Sequence, residues 1–150
     1  MPQLAKGGKW VFGWVVVGPR REIRIPPDAF AEYGFQAGEP VIFLSGSRTS
    51  RGFSIGRKAR VSEAKIPLER KAIDRGTVGE GGRITLPPGT GVLPGERLLA
   101  ARGSGLALGF IRQGPIFEEA LKHSEIEIFS ADQESRDASS ARISDSGGMK

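Results

Sequence analysis

The chain carries one short pattern twice. Ile23-Arg24-Ile25-Pro26-Pro27 is followed, after a spacer, by Gly38-Glu39-Pro40-Val41-Ile42, and Ile84-Thr85-Leu86-Pro87-Pro88 by Gly95-Glu96-Arg97-Leu98-Leu99. Both copies run on through a Gly-Ser turn, Gly46-Ser47 and Gly103-Ser104, into a second apolar run. Repetition of a β-rich unit predicts two half-structures that complete one core. Each copy spans roughly 45 residues, near the size below which a chain seldom buries enough apolar surface to fold alone. The two units are therefore expected to pack together, either within the chain or between chains.

Local patterns assign the elements. Trp10 to Val17 is rich in β-branched and aromatic residues and predicts a buried strand, with Trp10 and Trp14 in the core. Glu22-Ile23-Arg24-Ile25 alternates as a half-buried strand does, and Pro26-Pro27 ends it by removing backbone donors. Asp28 caps a short helix that places Ala29, Phe30 and Tyr33 on one side, and Gly34 stops it. Val41–Leu44 and Phe53–Ile55 then flank a polar hairpin loop. In the second copy Gly79-Glu80-Gly81-Gly82 is a glycine-dense turn before Arg83-Ile84-Thr85-Leu86, and the helix after Pro87-Pro88 is shortened or missing. The organisation expected is a first unit over 10–57, a linker over 58–71 with one helical turn after Pro67, and a second unit over 72–111. A capping helix from Pro115 and a short strand fill 112–129, with a disordered tail over 130–150.

Composition narrows the function classes. The absence of cysteine excludes disulfides and thiolate metal sites and fits a reducing cytoplasm. The N-terminal residues lead into no apolar h-region, and the apolar stretch at Trp14-Val15-Val16-Val17 is too short to span a bilayer, so a soluble cytoplasmic protein is expected. Residues 1–60 carry ten Lys/Arg against four Asp/Glu, residues 61–110 seven against five, and residues 111–150 five against eight. A basic body with an acidic end fits a polyanionic partner such as nucleic acid, and it also fits ordinary solubility charge.

No catalytic constellation stands out, so the chain is not expected to be an enzyme or to need a cofactor or metal. The Gly79–Gly82 turn lacks the Lys-Ser/Thr of a phosphate loop, and the single histidine, His123, sits at a helix end where the dipole accounts for it. Glu118 and Glu119 are helix-start charges, since adjacent residues point in different directions.

Taken together, Gly82-Arg83-Ile84-Thr85-Leu86-Pro87 followed by Pro94-Gly95-Glu96 resembles the AbrB-like (AbrB/SpoVT/MazE) family, and Ile23-Arg24-Ile25-Pro26 with Gly38-Glu39 repeats the pattern. The resemblance covers residues 10–57 and 70–111. It implies a mainly β fold with short helices: two tandem ββαβ units interleaved as a pseudo-two-fold swapped-hairpin β-barrel, followed by the C-terminal helix. Tandem copies also occur in MraZ-like proteins, whose acid-x-x-Gly-Arg is missing from copy one. The resemblance further implies a transcriptional regulator that binds double-stranded DNA through strand and turn arginines. Arg83 matches the family's Gly-Arg position, while copy one has Glu22 there, with Arg20, Arg21 and Arg24 displaced around it and Arg75 preceding the second copy's turn.

Two readings of these five arginines stay open. They contact a duplex, or they are solvated edge charges and turn ties in a barrel that serves as a protein-interaction module. On the first reading the tail and the C-terminal helix would serve assembly as a homo-oligomer or bind a protein partner.

Overall fold

The computed structural model describes residues 10–63, 72–103 and 106–131. The strands are β1 (Val11–Val16), β2 (Glu22–Arg24), β3 (Pro40–Ser45), β4 (Phe53–Arg57), β5 (Ala72–Thr77), β6 (Arg83–Thr85), β7 (Arg97–Arg102), β8 (Ala107–Ile111) and β9 (Ile128–Ser130). Three short helices join them: α1 (Pro27–Glu32), α2 (Lys58–Ser62) and α3 (Pro115–Ala120). The expected arm before Trp10, the helical turn after Pro67, the tip of the second hairpin turn and the tail beyond Ala131 lie outside the described residues.

Each copy contributes a hairpin, β3–β4 and β7–β8, and the hairpins join side by side through β4 and β8. The first strand of each copy then crosses to the other. β1 pairs antiparallel with β7, and β5 pairs antiparallel with β3. Matching backbone bonds fix both crossings: Gly95 N donates to the Val17 carbonyl and Gly38 N to the Val78 carbonyl, each at 2.7 Å. The two short strands form their ladder with each other, Glu22 opposite Thr85, Ile23 opposite Ile84 and Arg24 opposite Arg83. Ile23 and Ile84 occupy the same place in the repeated motif, so a local two-fold axis passes between them.

The expected closed barrel is corrected to an open, mixed seven-stranded sheet in the order β5-β3-β4-β8-β7-β1-β9. The edges β5 and β9 do not pair with each other. Closure fails because β2 and β6 are three residues long and stop at Pro26-Pro27 and Pro87-Pro88, where no amide remains to extend a ladder. They pair as a separate two-stranded ladder, with β2 lying near β1 and β9 and β6 near β5, and do not join the hydrogen bonding of the sheet.

That arrangement explains the near-continuous apolar runs in the strands, because both faces are covered. On the inner face Val41, Phe43, Phe53, Ile55, Leu98, Ala100, Leu108 and Phe110 pack with Ile23, Ile25, Ile84 and Leu86 of the small ladder and Ala29 of α1. On the outer face α3 covers β1 and β7: Phe117 sits edge-on to Trp14 at 5.1 Å between ring centroids, with Leu99 and Ala120 beside them. α2, which occupies part of the expected linker, sets Val61 against Ile42 and Leu44. Trp14 is 3% exposed, as expected, whereas Trp10 stands 40% exposed at the start of β1, contrary to its expected place in the core. Trp10 precedes the segment that β9 and α3 cover, which leaves its ring partly exposed among the described residues. Among the described residues no helix is long and apolar enough to cross a membrane.

Candidate nucleic-acid interface

The five candidate arginines do not form one surface. Arg20, Arg21, Arg24 and Arg83 gather around the β2–β6 ladder and the turn that enters it. Arg75 lies in β5 opposite Ile42, and cross-strand partners share a face. Ile42 belongs to the outer cluster and the ladder to the inner one, so the sheet separates Arg75 from the other four.

Within the ladder group each guanidinium has its own circumstances. Arg20 is exposed in the turn, and its amide donates to Glu22 Oε1 at 3.2 Å. Arg21 holds a left-handed backbone, φ 60°, at the place where copy two has Gly82, φ 78°. That geometry turns the Arg21 carbonyl toward Leu86 N, as Gly82 turns its own toward Ile25 N, both at 2.8 Å. The Arg21 Nε is buried without a hydrogen-bond partner among the described residues, which costs about 1–3 kcal/mol. Arg24 was expected on the solvent side of an alternating strand, yet it is 7% exposed. It lines a small cleft with Phe30 and Gly82, because α1 and the second copy's turn close over that side. Arg83 donates from Nε to the Ala131 carbonyl at 2.6 Å and so ties the end of β9 to the ladder.

Two further arginines, absent from the sequence-based set, anchor the copies internally. Arg57 Nε meets Glu39 Oε1 at 2.6 Å, and Arg112 Nε meets Glu96 Oε2 at 2.6 Å. In both copies the same glutamate also accepts an amide of its own turn, from Gln36 and from Leu93. The signal was present in the sequence as an arginine at the end of each return strand, paired with the glutamate of each Gly-Glu turn. Arg102 is likewise taken up, by a two-pronged pair with Glu32 of α1.

His123 lies between Glu125, 2.9 Å from Nδ1, and Glu119, 3.1 Å from Nε2. Hydrogen bonds to Glu125 and then Glu119 raise its pKa above the ordinary imidazole value. The bond from His123 in turn lowers that of Glu119. The triad ties the end of α3 to the turn that leads into β9. Among the described residues no group of three or more histidines and carboxylates is placed to hold a metal ion. The chain matches no protein-family model and no curated protein sequence.

Proposed function

We propose that the chain is a DNA-binding transcriptional regulator of the AbrB-like type, its two tandem units forming a swapped-hairpin pair within one chain. The observation that carries this reading is the exchange of first strands between the copies, β1 onto β7 and β5 onto β3, about an axis between Ile23 and Ile84. A rigid element with a local two-fold and arginines clustered beside its axis suits a duplex, whose backbone strands are themselves related by two-folds. On this reading Arg20 and Arg21 reach phosphates, Arg24 and Arg83 hold the ladder that presents them, and Arg75 stands outside the footprint.

Electrophoretic mobility shift on duplex DNA across a salt series tests it. The Arg20→Ala, Arg21→Ala double variant is expected to lower affinity and flatten the log–log salt slope by about 2, one per lost phosphate contact, with Arg75→Ala leaving the slope unchanged. Absence of binding at low salt would sink the proposal.

A second reading, an interaction module that keeps this architecture without binding DNA, is favoured by the fate of two ladder arginines: Arg24 is buried and Arg83 is bonded to Ala131. The apolar side of α3 is already used against Trp14 and Leu99, which leaves its acidic side and exposed Leu121 for a partner. Light scattering on the purified chain that reports a stable oligomer, together with no mobility shift, would select this reading.

A further inference from the structure

We propose that the cleft beside the end of β9 binds a small amphipathic organic anion, a monocarboxylate with an aliphatic or aryl body. The cleft has a volume of about 650 Å³, within the range typical of small-molecule sites. Val16, Val17 and Ile128 supply its apolar surface, and Arg20, Arg83 and Glu22 its charge. Glu22 is folded back onto the turn, its Oε1 accepting the Arg20 amide at 3.2 Å and filling the space beside Gly18. The wall of the cleft therefore carries two guanidiniums, Arg20 in the exposed turn and Arg83 bonded to Ala131, against one carboxylate that is itself engaged. A single negative charge is accommodated, while a polyphosphate would meet Glu22 and find too few polar groups along the valines. Ile128 is 46% exposed, so part of its side chain is open to a ligand.

The site is also a product of the repeat's divergence. Its outer wall is β9, which runs parallel to β1 and is tied down by the Arg83–Ala131 bond. The equivalent turn of copy two, Val78-Gly79-Glu80, has no described strand beside β5 to form such a wall. Among the described residues the second turn therefore lacks that wall, and the cleft has no dependence on the duplex reading.

Isothermal titration of the full chain with octanoate, and separately with octan-1-ol, in the absence of DNA, is the test. Octanoate is expected to bind saturably at one per chain, and octan-1-ol at least about tenfold more weakly, the effect of losing one charge-assisted hydrogen bond. Ile128→Glu should abolish octanoate binding. Arg20→Gln, in an exposed turn where the fold is not at risk, should weaken it about tenfold. Equal binding of octanoate and octan-1-ol, octanoate binding untouched by Arg20→Gln, or no saturable binding at all would each overturn the proposal.

Discussion

The two first strands, β1 and β5, occupy matching places and meet different fates. Each crosses to the third strand of the other copy, and each carries a bulge at the same point, Phe12 in β1 and Ile73 in β5, with both side chains turned into the inner core. Beyond that they part. β1 is Val-Phe-Gly-Trp-Val-Val: β9 lies along its free edge, Trp14 N donates to the Glu127 carbonyl at 2.8 Å, and Phe117 covers the indole. β5 is Ala-Ile-Asp-Arg-Gly-Thr and stays at the edge of the sheet. Where Trp14 finds a strand, Arg75 N finds the carboxylate of its own neighbour, Asp74 Oδ1, at 2.7 Å. An edge amide satisfied locally and flanked by charge is a poor template for another strand. One backbone thus serves as a buried stave in one half and a self-capped edge in the other, and the side chains together with the added strand β9 make the difference.

If the shared ladder unites the halves, damage at its axis should be indifferent to which copy is struck. Ile23→Ala and Ile84→Ala are each expected to destabilise the chain by about 2–4 kcal/mol, because both side chains are buried in the same inner cluster. The double variant should lose less than the sum of the two, since the residues face one another across the ladder. Urea denaturation followed by circular dichroism measures all three. A large loss from one substitution beside a negligible loss from the other would break the two-fold description.

Much of this was legible locally and little of it globally. The double prolines, the Gly-Glu turns, both hairpins and the helix at Pro115 are announced by residues within a few positions of each element. The open sheet is not, because it depends on β2 and β6 being too short to bridge and on β9 running parallel to β1, which are decisions between segments far apart in sequence. α2 escaped because a single apolar residue, Val61, anchors it, and one residue has no period. Arg24 was misplaced for a similar reason: alternation gives the side of a strand, not whether another element covers that side. Of the five candidate arginines, the sequence grouped four that the structure brings around one turn and ladder, but it could not separate Arg75 onto the other face.

The paired anchors sharpen the comparison at a smaller scale. Arg57 and Arg112 make the same contact with Glu39 and Glu96, but Arg112 also donates from Nη1 to the Thr90 carbonyl and from Nη2 to the Gly91 carbonyl, each at 3.3 Å. The second copy has only a 3₁₀ turn, Pro88–Thr90, where the first has α1, and these bonds hold that turn closed. Arg112→Ala should therefore cost about 1–2 kcal/mol and Arg57→Ala about 0.5–1 kcal/mol. The same denaturation experiment decides, and equal losses would mean that the shortened turn stands without its arginine.

The smallest effect expected reverses sign between the copies. Arg21 and Gly82 share a left-handed backbone, which a side chain tolerates at a cost of about 1–2 kcal/mol. Arg21→Gly relieves that strain and removes the orphaned Nε, but it gives up the packing of a half-buried arginine stem, and glycine's larger unfolded-state entropy takes back about 0.5–1 kcal/mol more. A net gain of under about 1 kcal/mol is expected, seen as a higher denaturation midpoint. Gly82→Ala should do the opposite, because its φ is 78° and a Cβ there would sit 3.3 Å from the Ile25 carbonyl oxygen. A chain that retains arginine where glycine would be more stable carries it for what the side chain does. On the duplex reading, Arg21→Gly should therefore raise stability and lower DNA affinity together. A loss of stability would show instead that the Arg21 side chain supports the turn, and would leave Arg20 as the one exposed guanidinium of the ladder group.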